Sequence, residues 1–154
     1  MRIRPLNNDD IPAIAALMRS LSDEFIVHEC SADAAAFFTT ENDEGGIRGF
    51  VSSGMAYYVA ETDHAIVGFL ALRDNRHVFH MFVDKAYHRQ GIAAALWQAA
   101  RTAALEAGNP GTFTVNASNY AVSVYEKMGF VRTAEMQSKH GIFYNPMQYS
   151  RIAQ

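Results

Sequence analysis

Two glycine-containing segments of this sequence carry residue types that could do chemistry. The first, VDKAYHRQGIAA at positions 83–94, runs from an apolar stretch through Gly91 into an alanine-rich run. A helix N-terminus presents unpaired N–H groups and about half a positive charge, so a strand that leads through a glycine turn into a helix can bind phosphate oxygens. Gly91 permits the turn, and Ala93 and Ala94 keep the first helical turn free of bulk. Because glycine is common in any short strand-to-helix turn, this segment alone leaves ligand binding and simple packing equally open.

The second segment, SVYEKMGF at positions 123–130, places a tyrosine near a predicted helix end. Gly129 suits the cap of that helix, and Phe130 suits the buried start of the next strand. Tyr125 is therefore either a core residue or a phenol that can donate a proton to a reacting group. The segment by itself does not decide between these two roles.

The surrounding hydrophobic pattern predicts the elements that position these segments. Apolar and alternating stretches predict two strands in the tail and further strands at 1–5, 55–61, 65–72, 77–83 and 112–116. Helical spacing predicts a short amphipathic piece ending near Ser52 and helices at 11–21, 32–40, 91–107 and 118–128. The residues expected on the buried face of the helix at 91–107 are Ile92, Leu96, Ala99 and Ala103.

The predicted order, β-α-α-β-β-β-α-β-α-β-β, mixes antiparallel hairpins with crossover helices. It indicates an α+β fold with α/β/α layers, in which a mixed, mostly antiparallel sheet of about seven strands has helices on both faces. No internal repeat, linker or low-complexity segment divides the sequence. We therefore expect a single domain over residues 1–154.

The composition argues against several function classes. The formal net charge is -3 and the basic residues are scattered, unlike a nucleic-acid-binding surface. The longest uncharged apolar run, Ala65 to Leu72, is too short to cross a bilayer, and the first residues lack the apolar stretch of a secretory signal. The sole cysteine, Cys30, has no disulfide partner and no recognisable metal-ligand spacing. We expect a cytoplasmic protein with no metal, membrane partner or nucleic-acid partner.

Together the two segments resemble the motifs of the GNAT acyltransferase superfamily. The first motif of that family is a strand ending in valine, then x-P-x-Y-R-x-x-G-x-G/A, then a helix. The matching positions in this sequence are Val83, Tyr87, Gly91 and Ala93. The second motif ends in Y-E-K-x-G-F, which residues 125–130 match. The resemblance is strong over residues 55–130 and loose elsewhere.

The resemblance implies acetyl-CoA as the acyl donor, bound largely through the protein backbone. The pyrophosphate would bind the amides of Arg89, Gln90, Gly91, Ile92, Ala93 and Ala94. The pantetheine arm would pair with the backbone of Met81, Phe82 and Val83. Asn119 would also contact the cofactor, although it lies one residue closer to Tyr125 than in the commonest family spacing. Asn116 and Ser118 are alternatives for that contact.

Two residues of the first segment depart from the family pattern. Lys85 stands where proline is usual, and His88 stands where arginine or glutamine is usual. Because main-chain N–H groups would supply most of the anion binding, these departures affect side-chain contacts more than the backbone site. We expect His88 to alter cofactor affinity or its pH dependence.

The resemblance implies that an acetyl group passes from acetyl-CoA directly to a primary amine in a ternary complex. Tyr125 is the candidate acid for the departing thiolate. An alkylamine has a pKa of about 10 and arrives protonated, so a base or a water chain must take a proton. His77 and His80 are candidates, expected on opposite faces of their strand unless a bulge intervenes. His77 is preferred because several family members carry their base at its position before Val83, and Glu61 is a weaker alternative.

The acceptor is expected to be a small-molecule amine or an amine of a peptide or protein. The resemblance places candidate pocket residues in the early helices and last strands: Phe25, His28, Phe37, Phe38, Phe50 and Tyr144. It also allows a homodimer. Two other hypotheses stay open, namely a non-catalytic acyl-CoA-binding sensor or regulatory module and an α+β scaffold that binds an unrelated nucleotide.

Overall fold

The chain folds around a central sheet that has helices on both faces. The structure is a computed structural model that describes residues 1–151, so residues 152–154 of the predicted domain lie outside the described part. The strands are β1 (Arg2–Pro5), β2 (Ala56–Thr62), β3 (Ala65–Arg73), β4 (His77–Val83), β5 (Thr112–Ala117), β6 (Val131–Arg132), β7 (Gln137–Lys139) and β8 (Ile142–Ser150). The α-helices are α1 (Ile11–Phe25), α2 (Ala32–Glu41), α3 (Glu44–Ser52), α4 (Ile92–Glu106) and α5 (Val122–Lys127).

The strands follow the order β1-β2-β3-β4-β5-β8-β6, and β7 pairs with β8 to complete an eight-stranded sheet. Every neighbouring pair is antiparallel except β4 and β5, which run parallel. The predicted mixed, mostly antiparallel sheet is thereby confirmed. The prediction of two tail strands is wrong, because β6 and β7 pair with successive parts of the long strand β8.

Helices α4 and α5 cover one face of the sheet. At its centre Trp97 packs against the rings of Phe113, Phe130 and Tyr149, with centroid distances of 4.9, 5.1 and 5.3 Å. Aromatic rings in such contacts bury large areas and fix the position of the helix that carries them. The helix predicted at 118–128 begins as a 3₁₀ turn over Asn119–Ala121 before α5 starts.

The buried face of α4 differs in part from the predicted one. The buried residues of this helix are Ile92, Leu96, Trp97, Ala100 and Ala104. The prediction that Ala99 and Ala103 belong to this face is wrong, since both are only partly buried. Alanines occur all around α4 and say little about which face turns inward, so the large ring of Trp97 decides the orientation.

Helices α1 and α3 cover the opposite face of the sheet. Their buried residues, together with those of β2 and β3, form a second core cluster: Ile11, Ile14, Met18, Ile47, Tyr57, Val59, Phe69 and Ala71. Within residues 1–151 no helix is long and apolar enough to span a bilayer.

Strand β4 contains a bulge that changes which side chains share a face. Ala71 pairs with His80 and Leu72 pairs with Val78, so Phe79 has no partner residue on β3. Val78 packs in the cluster under α4, whereas Phe79 packs in the cluster under α1 and α3. The bulge therefore interrupts the simple alternation expected from the sequence.

Strands β4 and β5 part soon after they meet. They pair only at His77 with Thr114 and at Val78 with Val115, although each strand continues beyond these residues. The facing edges of residues 79–83 and 116–117 are therefore not joined to each other. We call the opening between them the β4–β5 cleft.

The first strand is tied to α1 by an ion pair. The Arg4 guanidinium donates to both carboxylate oxygens of Asp10, at 2.8 and 3.0 Å, and also reaches Glu61 at 3.4 Å. Asp10 is only 8% exposed, and the hydrogen bond from Arg4 lowers the pKa of its carboxyl below the ordinary 3.8. The two-pronged geometry makes this pair stronger than an ordinary surface salt bridge.

Replacing Asp10 by asparagine should lower the free energy of unfolding at neutral pH by about 1–3 kcal/mol, because one charged partner of a mostly buried pair is lost. The lowered pKa of Asp10 means that the wild-type advantage exists above the ordinary value of 3.8 and disappears as the pH falls through the lower folded value. Urea unfolding at several pH values measures both effects. The exposed neighbour Asp9, changed to asparagine, is the control; an equal loss in both variants would contradict the assignment.

Candidate functional site

The turn between β4 and α4 exposes a run of backbone N–H groups. Arg89 and Gly91 adopt positive φ angles of 64° and 78°, and α4 makes its first backbone hydrogen bond from Ala95 N to Gly91 O at 3.0 Å. Among residues 1–151, no group accepts a hydrogen bond from the N–H groups of residues 89–94. The turn therefore presents consecutive unpaired donors at the positive end of a helix.

The space around this turn fits an anion. A Cβ atom built on Gly91 would meet no atom within 4 Å, so the backbone is open to an approaching group. Ile92 is buried and anchors the helix, whereas Arg89, Gln90 and Ala94 are exposed. The structure thus brings the residues predicted to bind pyrophosphate together at one open turn that follows β4.

The β4 side of the cleft carries the residues predicted to pair with a pantetheine arm. Met81, Phe82 and Val83 are partly buried and pair with β3 along their other edge. The Val83 carbonyl already accepts a hydrogen bond from His88 Nε2 at 2.7 Å. Hydrogen bonding alternates along the antiparallel ladder, so the backbone groups of Phe82 are used by β3, whereas those of Met81 face the cleft.

Tyr125 approaches from the α4 and α5 side of the sheet. Its residue is only 5% exposed and its ring packs edge-on against Phe130 at 5.4 Å, in the same core cluster as Met81 and Val83. Its hydroxyl has no hydrogen-bond partner among the described residues. Among these residues, Ser22 Oγ is the one side-chain oxygen that is both fully buried and without a partner, so the Tyr125 hydroxyl keeps some exposed surface. Burial raises the pKa of the phenol, so Tyr125 stays protonated and can donate.

His77 lies where β4 and β5 are still paired. Its Nδ1 is 2.8 Å from Thr114 Oγ1, and its Nε2 has no partner within residues 1–151. Burial, with the nearby charges of Arg73 and Arg76, lowers the pKa of His77 to about 4. At neutral pH the imidazole is therefore uncharged.

His80 is held by neighbours on both ring nitrogens. Nε2 lies 2.9 Å from Asn42 Oδ1, an acceptor, so Nε2 carries the hydrogen, and Nδ1 faces the Tyr57 hydroxyl at 3.5 Å. The residue is 7% exposed, and burial lowers its pKa to about 3. This environment suits a structural histidine better than one that exchanges protons.

The bulge brings both histidines to the same face of the sheet. His80 packs against Phe50, Phe79 and Phe82 under α1 and α3. His77 contacts Thr114, whose two neighbours Phe113 and Val115 point toward α4. Thr114 and His77 therefore point to the opposite face, the one covered by α1 and α3. The expectation of opposite faces held only for an unbroken strand and does not apply here.

A comparison of the sequence with known families decides the class of this fold. The family described as "Acetyltransferase (GNAT) domain" matches residues 26–151 of this chain. The chain belongs to the GNAT acetyltransferase family. The family resemblance drawn from the two motifs is confirmed, and most of the chain is an acetyltransferase domain.

Individual proteins agree with the family assignment. Human N-acetyltransferase 8 is 34% identical over 95 residues, covering 53% of this chain and 41% of that protein, so the chain spans less than half of its length. A GCN5-related N-acetyltransferase from Rhodopseudomonas palustris superposes with a TM-score of 0.79 at 24% identity, covering 97% and 94% of the two chains. The PaiA N-acetyltransferase of Thermoplasma acidophilum, solved in complex with coenzyme A, also gives a TM-score of 0.79, at 15% identity and with 97% and 98% covered. These structures share the GNAT fold.

Asn119 of this GNAT domain is engaged within the protein. Its Oδ1 accepts from Asn145 Nδ2 at 2.8 Å, and its Nδ2 donates to Glu29 Oε2 at 2.6 Å. Ser118 caps the 3₁₀ turn by accepting from Ala121 N at 3.3 Å. The cofactor contact of Asn119 stays a prediction, and its observed bonds connect the turn after β5 to neighbouring elements.

The other candidate residues are spread over the α1–α3 side and the tail. Glu61 forms an ion pair with Arg4, with 3.4 Å between the nitrogen and the oxygen. Phe50 packs edge-on against Phe79 at 4.9 Å, which makes it the pocket candidate nearest the bulge. The remaining candidates lie elsewhere: Phe25 against Tyr120, Phe37 against His140, Tyr144 on Gln137, an exposed His28 and a partly buried Phe38.

Several supporting residues escaped the sequence analysis. Asn145 is 1% exposed and donates to both Ala117 O and Asn119 Oδ1, while Arg132 donates to its Oδ1. Asn42 caps α2 and fixes the hydrogen of His80. A polar residue at an inward position of β8 is the only signal that pointed to Asn145; nothing local marks Asn42.

The lowered pKa of His77 gives a direct test of this geometry. In a pH titration of the ring signals by NMR, His77 should show a midpoint near 4. Replacing Arg76 by glutamine should raise the midpoint, because a repelling positive charge is removed, and replacing Asp74 by asparagine should lower it. A His77→Gln variant assigns the signal, and a wild-type midpoint at or above the ordinary 6.5 would contradict the buried placement.

Proposed function

We propose that this GNAT domain transfers an acetyl group from acetyl-CoA to a primary amine by direct attack in a ternary complex. The run of unpaired N–H groups at residues 89–94, beside the β4–β5 cleft, is the observation that carries the proposal. Family membership and the coenzyme A complex of the similarly folded PaiA support the choice of donor.

The donor site uses the backbone. The amides of residues 89–94 hold the pyrophosphate, and the absence of a side chain at Gly91 leaves space for its oxygens. Met81 offers backbone groups to the pantetheine arm along the β4 edge of the cleft. We expect these contacts to bring the thioester into the β4–β5 cleft, where side chains from either face of the sheet can reach it.

Acetyl-CoA supplies an already activated thioester, so the protein needs to position the reactants and move protons. Tyr125 is the acid: its buried phenol is protonated, and its hydroxyl has no competing partner among the described residues. It donates a proton to the departing thiolate. A backbone N–H beside Val83 polarises the carbonyl oxygen.

His77 is the base that we favour over His80. Its Nε2 has no partner among residues 1–151, whereas both ring nitrogens of His80 face protein groups. The neutral His77 ring accepts a proton from the acceptor ammonium directly or through water. Thr114, bonded to Nδ1, holds the ring in place. The two proton-transfer groups thus approach the cleft from opposite faces of the sheet.

The function is tested by measuring binding and turnover separately. Calorimetric titration with acetyl-CoA should show binding, and a panel of small amines and peptides should release free thiol with at least one acceptor. Binding without turnover on any amine, with no effect of changing Tyr125, would favour a sensor. Preference for ATP or NAD over coenzyme A in a thermal-shift screen would instead favour an unrelated nucleotide-binding function.

Replacing Gly91 by valine should weaken acetyl-CoA binding by about tenfold or more, because the side chain occupies the phosphate space and disfavours the positive φ angle. Calorimetry gives the dissociation constant. Gly54→Val is the matched control, since Gly54 also has a positive φ and open surroundings but lies before β2. An unchanged dissociation constant in Gly91→Val would remove the proposed phosphate site.

Replacing Tyr125 by phenylalanine should lower kcat by about 10²-fold while changing the acetyl-CoA dissociation constant little, because only the proton donor is removed. Steady-state kinetics and calorimetry measure the two quantities. Tyr58→Phe is the control, as Tyr58 packs against the same core cluster from β2. Wild-type turnover in Tyr125→Phe would exclude the phenol from the mechanism.

A further inference from the structure

A hydrogen-bonded bridge crosses the open end of the β4–β5 cleft. His88, in the turn after β4, places Nε2 2.7 Å from Val83 O and Nδ1 3.1 Å from the Tyr120 hydroxyl. Tyr120 belongs to the 3₁₀ turn that follows β5. One imidazole therefore contacts both the end of β4 and the turn after β5, in the region where the two strands are no longer paired.

The chemistry of the partners fixes the hydrogens of this bridge. A carbonyl oxygen can only accept, so His88 Nε2 must carry a hydrogen and donate it to Val83 O. In the neutral ring Nδ1 is then an acceptor, and the Tyr120 hydroxyl donates to it. The two bonds run in one direction, from the β5 side through the imidazole to the end of β4.

The end of α1 supports this bridge from outside. The Phe25 ring stacks on the Tyr120 ring at 4.1 Å, although Tyr120 is itself 44% exposed. Lys85 bonds Glu24 and lies 5.8 Å from the Phe25 ring centre. The residue pairs Phe25–Tyr120 and Lys85–Glu24 thus attach the same helix end to the β5 side and to the β4 side of the cleft.

We propose that His88 is a positioning residue of the cofactor cleft, which fixes the spacing between the end of β4 and the turn after β5 through Val83 O and Tyr120. The inference rests on the proposed function, because it assumes that acetyl-CoA binds in the cleft between the end of β4 and the turn after β5. The imidazole is large enough to meet both partners, and its residue directly precedes the unpaired amides at 89–94.

The bridge is tested with variants that remove or preserve its two bonds. His88→Ala should raise the dissociation constant and KM for acetyl-CoA about tenfold and change kcat less than about twofold. The variant loses the spacing between the two sides of the cleft but keeps every group that reacts. His88→Gln should restore binding to within about twofold of wild type, since its amide can donate to Val83 O and accept from Tyr120. His64→Asn, in the exposed turn between β2 and β3, is the control.

A double-variant comparison shows whether His88 and Tyr120 act together. Tyr120→Phe removes the hydroxyl but keeps the ring that stacks on Phe25. If the bridge sets the spacing, adding Tyr120→Phe to His88→Ala should cause no further loss of acetyl-CoA affinity, whereas independent effects would multiply. Multiplying effects would overturn the proposal.

The outcomes separate this inference from the proposed function. If the wild-type protein does not bind acetyl-CoA, the proposed function fails. If the wild type binds and His88→Ala binds equally well, the donor site stands and the positioning role is overturned. A His88→Ala variant with a lower melting temperature but unchanged affinity and KM would give His88 a purely structural role and also overturn the proposal.

Discussion

The parting of β4 and β5 is the constraint on which the rest of the site depends. Two parallel strands that stayed paired would satisfy each other's backbone groups and leave no entry through the sheet. Here the pairing ends at Val78 and Val115, and the bulge at Phe79 shifts the register between β3 and β4 at the same point. Backbone groups that a sheet would normally use internally become available to a ligand.

The candidate site combines an exposed turn of unpaired backbone donors with buried, uncharged side chains. The N–H groups of residues 89–94 provide positive potential without any charged side chain having to be desolvated. Burial raises the pKa of Tyr125 and lowers that of His77, so one group keeps its proton and the other stays free of one at neutral pH. Burial alone thus holds both side chains in their uncharged forms.

The open end of the cleft needs support because its strands do not hold each other. Asn145 bonds the end of β5 and Asn119, and Asn119 in turn bonds Glu29 before α2. His88 and Tyr120 connect the end of β4 to the turn after β5. These polar contacts replace the ladder that the cleft interrupts, and all but the bond between His88 and Val83 O join residues that are distant in the sequence.

The sequence by itself determined the local features of this GNAT domain: the order of most elements, the glycine turn at Gly91 and the family motifs. These depend on backbone preferences and on periodicity over a few residues, which a single segment carries. The tertiary structure alone decided that Ala100 and Ala104 line the core instead of Ala99 and Ala103, and that His77 and His80 share a face. It also decided the partner of His88. Such outcomes depend on a bulge, on the burial of one large ring and on contacts between remote segments, and no local pattern encodes them.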